Sequence, residues 1–402
     1  MFAHKNKPEV TNIQNVSVLN HTIGRLLRQQ LSPDTRNIAI FLAMIFCILL
    51  SKSVCLSAWI LLVSENTKAV SRIRRFARWL GNSSIKPYAW YAPLFRYALR
   101  EWTQMPIYLA LDTSMLYDRF CCVQISMIYM NRAIPVTWCV MEHNSSTVQY
   151  AQYRHLFEQA EALLPKEVEI IFLADRGFVC KNLMCHLQQL RWTWCIRVKG
   201  NQKLRTTNGF ITPKTLPLSP GKVLLFSRCV DFGKKLERIS LSAGWAKSSR
   251  EPWYVLSGDA AGTEAFMSYA RRFGIEEGFR DEKSGGCDLE ASCIRDAQKL
   301  ERLLLVISTA LIVAVSEGMS VTFTGEREEV DPHRTRSLSY FQIGLRWIMS
   351  CLLRGPKKLF GHCLLRPMSE PLPVASTKKE SRRRRKMKDP AYLFRDIQYG
   401  SL

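Results

Sequence analysis

The apolar positions give the chain distinct textures, each with its own period. From Ile38 to Leu50 the sequence reads IAIFLAMIFCILL, an unbroken apolar run. Ser51-Lys52-Ser53 interrupts it and VCLSAWILLV follows. The first run is too short to cross a bilayer, and Lys52 would stand near the middle of any longer span. The pattern predicts two buried helices within a helical region that ends near residue 104.

At Met105 the texture changes. MPIYLALD reads as a short apolar strand ending in Asp112. Cys121 to Met130 and Ile134 to Met141 read as two more strands, with Asn131-Arg132-Ala133 as their turn. A helix is expected over Val148 to Leu164, then a strand, EIIFLAD, ending in Asp175. A helix over Lys181 to Leu190 leads to another strand, RWTWCIRVKG. Strands joined by crossover helices predict an α/β layered domain. Residues 201 to 258 carry Gly, Pro and Ser punctuation between short runs such as KVLLFSRCV and PWYVLS, which reads as a β-rich insertion. Helical periodicity returns from Thr263 to Lys283 and from Asp296 to Val315. After Pro367 comes a linker with Pro371 and Pro373, then the basic run Lys378 to Lys388, KKESRRRRKMK.

Composition narrows the function. Apolar residues make up 47% of 402, which describes a globular chain. The net charge is +23, which points to a polyanion, with nucleic acid ahead of an anionic membrane surface. The 13 cysteines include no C-x-x-C pair and the 7 histidines are scattered, so a zinc site is not expected. Met1 to Thr35 is polar and mixed, without a secretory signal, and the cysteines read as reduced thiols of a cytoplasmic protein. In SRIRRFARWLGN, Arg72, Arg75 and Arg78 recur at three-residue spacing beside Arg74. That face fits either solvent or a DNA backbone.

Candidate chemistry begins with the two acids at strand ends. Ligand sites of open α/β sheets form beyond those ends, although an Asp there also caps turns. A third acid lies in YARRFGIEEGFRDEK, where Tyr269, Arg272, Glu276 and Lys283 follow at offsets of three, four and seven. On one continuous helix they fall within a stripe about 60° wide. A solvated salt-bridge face has the same composition. Phosphodiester chemistry would use such a set. Two Mg²⁺ ions roughly 3.5–4 Å apart activate the nucleophile and stabilise the leaving oxygen. These ions take carboxylate, water and phosphate oxygens.

These residues carry a resemblance. The segment matches Y-x-x-R-x-x-x-E-x(6)-K at all four positions, LALDTS and FLADRGF precede it in order, and RRFARWLGN matches an N-terminal helical region. The sequence resembles the DDE transposases of bacterial insertion sequences, in the insertion-sequence-four family, over roughly residues 35 to 320. The resemblance implies an RNase H-like catalytic domain interrupted by a β-rich insertion, behind an N-terminal helical domain. The implied parts are a DNA-binding region at 1–104, the catalytic domain at 105–200 and 259–320, the insertion at 201–258, and a C-terminal region with a basic tail at 321–402. Asp112, Asp175 and Glu276 would ligate two Mg²⁺ or Mn²⁺ ions; the register selects Glu276 over Glu277. Tyr269, Arg272 and Lys283 would contact DNA phosphates. Trp253 falls about where relatives place a Trp that stacks on a flipped base. The implied activity is cut-and-paste excision through nicking and a DNA hairpin, followed by joining of the freed 3′-OH to target DNA. The implied partners are double-stranded DNA at the transposon ends and the target, bound by a homodimer on paired ends, with no membrane. An inactive DNA-binding derivative and another RNase H-like nuclease are the alternatives.

Overall fold

The computed structural model describes residues 13–31, 34–63, 68–130, 132–206, 209–233, 236–247, 249–280, 289–333, 336, 338–354, 358–368 and 398–400. The chain forms two compact units. One comprises Met1–Trp102 with Arg280–Ala375, the other Thr103–Phe279 with Ser376–Leu402.

The first unit is helical. It opens with α1 (Ile13–Gln30), α2 (Thr35–Ser51), α3 (Ala69–Gly81) and α4 (Pro87–Ala98). The Asp34 side chain caps α2 by accepting from the backbone N–H of Arg36 at 2.9 Å. Lys52, left-handed at φ 54°, ends the helix, and its N–H bonds back to Ile48. The expected second buried helix over VCLSAWILLV is not an α-helix. Ala58–Leu61 is a single 3-10 turn, with Trp59 buried and Leu61 92% exposed. Short-range polar bonds compete with helix here: the Ser51 hydroxyl donates to Cys47 O and also accepts from the Ser53 N–H. Trp79 on α3 stacks on Phe41 of α2 at 5.6 Å, and Trp90 of α4 meets both rings edge-on.

The second unit is built on one mixed sheet. Its first strands are β1 (Ile107–Leu116), β2 (Phe120–Tyr129) and β3 (Arg132–Glu142), paired antiparallel in sequence. The helices α5 (Tyr150–Tyr153) and α6 (His155–Leu163) lead to β4 (Ile170–Ala174). Then α7 (Lys181–Gln189) crosses to β5 (Thr193–Arg197). The strands β1, β4 and β5 run parallel, the pairing that crossover helices produce. The β-rich stretch supplies β6 (Leu204–Thr206), β7 (Gly209–Ile211), β8 (Lys222–Val230), β9 (Ile239–Trp245) and β10 (Trp253–Ser257). These strands extend the same sheet, because β10 pairs with β5 and β9 with β10. The order is β3-β2-β1-β4-β5-β10-β9-β8-β6-β7. The helices α8 (Thr263–Arg271) and α9 (Gly274–Arg280) follow.

Strand parity decides what each sheet face carries. On β4, Phe172 packs against Phe157 of α6, with ring centroids 5.3 Å apart. Its neighbours Ile171 and Leu173 point the other way, into a cluster with Ala110, Cys195, Val255, Phe266, Tyr269 and Ile275. That second face holds α8 and α9.

The helical unit is completed by α10 (Ala297–Phe323) and α11 (Tyr340–Arg354). The expected catalytic stretch 259–320 is thus divided: its part up to Phe279 belongs to the sheet, whereas α10 packs among the N-terminal helices. By length and composition α10 could cross a membrane, and its most apolar window is fully buried within the protein. Two glycines let α10 and α11 touch backbone to backbone. A Cβ on Gly318 would overlap the carbonyl of Tyr340, and one on Gly344 would overlap that of Ala314. A last strand, β11 (Gln398–Gly400), pairs parallel with β8.

Candidate active site

The register of β1 and β4 brings the first two acids together. Their parallel pairing ends at Leu111 opposite Ala174, and the next residue on each strand is an acid, Asp112 or Asp175. Asp112 is two residues beyond Ala110, and Asp175 two beyond Leu173, so both acids continue the face that carries α8. The strand does not end at Asp112, as the sequence suggested. It runs four residues further and pairs with β2, where Asp112 lies opposite the buried Gln124. Asp175 directly follows β4 and precedes a 3-10 turn at Arg176–Phe178.

The third acid sits on α9, which the sequence joined to α8 as one continuous helix. The structure breaks there. Three-residue bonds from Arg272 N to Tyr269 O, Phe273 N to Ala270 O and Ile275 N to Arg272 O tighten the chain after Arg271. Gly274, a poor helix former, then opens α9. A single stripe on one continuous helix therefore does not describe these residues. The short spacings still hold on either side of the break, and Tyr269, Arg272 and Glu276 converge. The close approach of α9 to the sheet depends on Gly278, where a Cβ would stand 2.6 Å from that of Ala133 on β3.

Arg272 is the hub. Its side chain is 6% exposed. Nη1 donates to Asp112 Oδ2 at 2.9 Å and Nη2 to Glu276 Oε1 at 3.1 Å. The Tyr269 hydroxyl donates to Asp175 Oδ1 at 3.0 Å. All three acids are thus held by two of the three residues that the resemblance assigned to phosphates. The guanidinium also lies over the rings of Tyr269 and Phe273, at 5.8 and 5.5 Å.

The electrostatics follow from burial and from this hub. Desolvation raises the pKa of Asp112, against the pull of Arg272. Burial acts on Asp175 in the same sense, but the Arg176 backbone N–H, the Arg272 charge and the Tyr269 hydroxyl outweigh it and lower its pKa. Burial pushes the Tyr269 phenol up to about 12, so it stays a donor at neutral pH. Burial opposes the charge on Arg272, yet the anionic groups around it raise its pKa overall.

Trp253 lies on β10, only 8% exposed. Its ring meets Tyr269 edge-on at 5.4 Å and tilts against Phe273 at 5.9 Å. In this arrangement it braces the tyrosine, and stacking on a base would require it to leave the cluster. Lys283 lies outside the described residues, as does the basic run 378–388. Arg72 is not a free cation: Nη1 donates to the carbonyls of Ile60 and Val63 and ties α3 to the 3-10 turn. Arg74 and Arg78 are exposed.

Sequence reasoning passed over Arg197. It is two residues beyond Cys195 on β5, which pairs with Leu173, so it shares the acid-bearing face. Its charge acts on Asp175 and Tyr269, and its guanidinium lies 5.9 Å from the Trp253 ring. A lone Arg closing an apolar strand was the available signal.

The donor set is all carboxylate oxygen, the chemistry that Mg²⁺ or Mn²⁺ accepts. Three carboxylates around one guanidinium leave a negative excess that suits a divalent ion. The donors fit such ions in kind, while their spacing is set by Arg272. Among the described residues no group of three or more His, Cys, Asp or Glu side chains is arranged to hold a metal.

Residues 118–313 match the family model described as transposase DDE domain, a little under half of the chain. The match supports a DDE transposase; it includes Asp175, Tyr269, Arg272 and Glu276 and begins six residues after Asp112. No curated protein matches the sequence. Among solved structures, the piggyBac transposase synaptic complex with hairpin DNA, determined by cryo-EM, aligns with a TM-score of 0.41 and 12% identity. The alignment covers 94% of this chain and 87% of that one.

Proposed function

We propose that the protein is a DNA transposase that cuts at the ends of an insertion sequence and joins them to target DNA. The observation that carries this reading is the gathering of Asp112, Asp175 and Glu276 around Tyr269 and Arg272. These residues come from two strands and a helix pair. The domain match and the basic charge support it.

Asp112, Asp175 and Glu276 are the proposed ligands of two Mg²⁺ or Mn²⁺ ions. Bound there, such ions supply charge neutralisation at the scissile phosphate and lower the pKa of a coordinated water or 3′-OH. The chain's own contributions are positional. The register of β1 and β4 holds two carboxylates side by side before any substrate arrives, and Tyr269 fixes the orientation of one of them. The exposed Glu276 arrives on a separate short helix, so its distance from the pair is adjustable. Lys283 and Arg272 are the proposed phosphate contacts, and Trp253 the proposed base platform. An RNase H-like core is supported by the order β3-β2-β1-β4-β5, with the first three strands antiparallel and β1, β4 and β5 parallel. The dimer on paired ends, the β-rich stretch as an insertion and a cytoplasmic location belong to the same proposal.

The test is a nicking assay on DNA carrying the sequences that flank the gene, with Mg²⁺ or Mn²⁺ and with EDTA. The wild-type protein is expected to cut at a fixed position, only with metal. Glu276→Gln is expected to bind the same DNA without cutting it. A folded wild-type protein that binds these ends and never cuts them would instead be a binding-only derivative.

A further inference from the structure

We infer that Arg272 is an internal counter-ion that occupies the place of a divalent cation in the DNA-free protein, so that the guanidinium and the metal compete for the same carboxylates and a phosphate that takes the guanidinium frees them. This rests on the proposed metal site and says how it is kept in reserve.

The geometry carries the argument. A single buried guanidinium bonds carboxylates from β1 and α9 at 2.9 and 3.1 Å. It draws Asp112 and Glu276 toward nitrogen atoms on opposite sides of one planar fork. A shared metal requires both carboxylates to point at a single centre instead. The two arrangements oppose each other, because the guanidinium charge lies between the carboxylates that a divalent cation would draw together. The arginine position is also not its best one. Arg272 Nε is buried with no hydrogen-bond partner among the described residues. A buried donor left unmet in this way is costly. A phosphate offers the bidentate acceptor that a guanidinium fork matches, and it can satisfy Nε as well.

The neighbours allow the exchange. The Tyr269 hydroxyl holds Asp175 by a hydrogen bond of its own, so one acid keeps that partner when the guanidinium leaves. Glu276 is more than half exposed on a seven-residue helix and can follow its partner or turn from it. DNA phosphate would draw Arg272 off and release two ligands together. The acids would then bind metal tightly only with substrate present, which guards against idle loading. Arg272 is thus a positioning residue before the cut, in addition to any contact it makes during it.

The test reads metal affinity and not turnover. Mn²⁺ binding to the full-length, DNA-free protein is followed by electron paramagnetic resonance for the wild type, Arg272→Lys and Arg272→Ala. The lysine variant keeps the charge but loses the planar fork that holds the two carboxylates on separate nitrogen atoms. It is expected to bind Mn²⁺ about tenfold more tightly than wild type, the equivalent of one charge-assisted hydrogen bond. The alanine variant is expected to gain more, and Asp112→Asn added to Arg272→Lys to abolish the gain. Circular dichroism identifies a variant that has lost its fold, and the lysine variant then decides alone. Equal Asp112-dependent affinity in wild type and the lysine variant would overturn the inference and leave the metal site standing. Absence of Asp112-dependent Mn²⁺ binding in every protein, with or without DNA, would overturn both.

Discussion

At the scale of single residues, this protein places charges where burial makes them expensive and then meets each with a specific partner. Arg272 is one case and Glu317 on α10 another. Glu317 is 1% exposed, and its carboxylate accepts the backbone N–H groups of Phe360 and Gly361 at 3.1 and 2.5 Å. Burial pushes its pKa up to about 7 from an ordinary 4.5, and the two N–H groups only partly oppose that rise. Between those values the folded chain binds more protons at this position than the unfolded chain. Stability therefore falls as pH rises through that window, by an amount on the order of 2–3 kcal/mol. Below about pH 4.5 the contribution is fully present. Urea unfolding at pH 5 and pH 8 is expected to show a smaller decline for Glu317→Gln than for wild type. Equal declines would mean that the buried acid is not what titrates.

At the scale of elements, short helices do the positioning. Helix α9 brings Glu276 toward the sheet and can lie so close only because position 278 has no side chain. Gly278→Ala is expected to cost about 1–3 kcal/mol, since the new methyl meets Ala133 on β3. It should also reduce metal-dependent cleavage by displacing Glu276. Ala133→Gly in the same protein removes the nearer obstacle, so the double variant should recover part of the lost melting temperature. The recovery is incomplete because the Ala133 backbone stands at 3.3 Å. Strictly additive losses would show that the two positions do not touch. The helix break between α8 and α9 belongs to this scale too. The offsets of Tyr269, Arg272 and Glu276 were legible in the sequence, whereas the turn that separates them was not. An i,i+3 bond and an i,i+4 bond look alike in a residue string, and packing on the sheet chose the tighter one.

At the scale of the whole molecule, the charge of +23 sets how the chain meets DNA. Each phosphate contact contributes about 0.9 to the slope of log affinity against log salt. The arginines of α3 should divide by role. Arg74→Ala and Arg78→Ala, both exposed, are expected to flatten that slope. Arg72→Ala should leave the slope alone and lower the melting temperature, because its guanidinium is spent on the carbonyls of Ile60 and Val63. Filter binding across a salt series, beside thermal melts, separates the two. A salt slope changed by Arg72→Ala alone would reverse the assignment.

Much was readable from the chain alone because it depends on local order. Short apolar runs bounded by turn residues marked the strands of the sheet, and the apolar run at Ile38 marked α2. The spacing of Tyr269, Arg272 and Glu276 marked a chemical unit before any neighbour was known. The apolar stretch after Lys52 misled for the same reason: composition suited a helix, but hydroxyl bonds near Ser51 and Ser53 took the backbone elsewhere. Only tertiary structure could decide the rest. That Asp112 and Asp175 are neighbours follows from a strand register linking positions 63 apart, which no local pattern encodes. That Arg272 turns to the acids follows from burial, which removes water as a competitor and leaves the carboxylates as its partners.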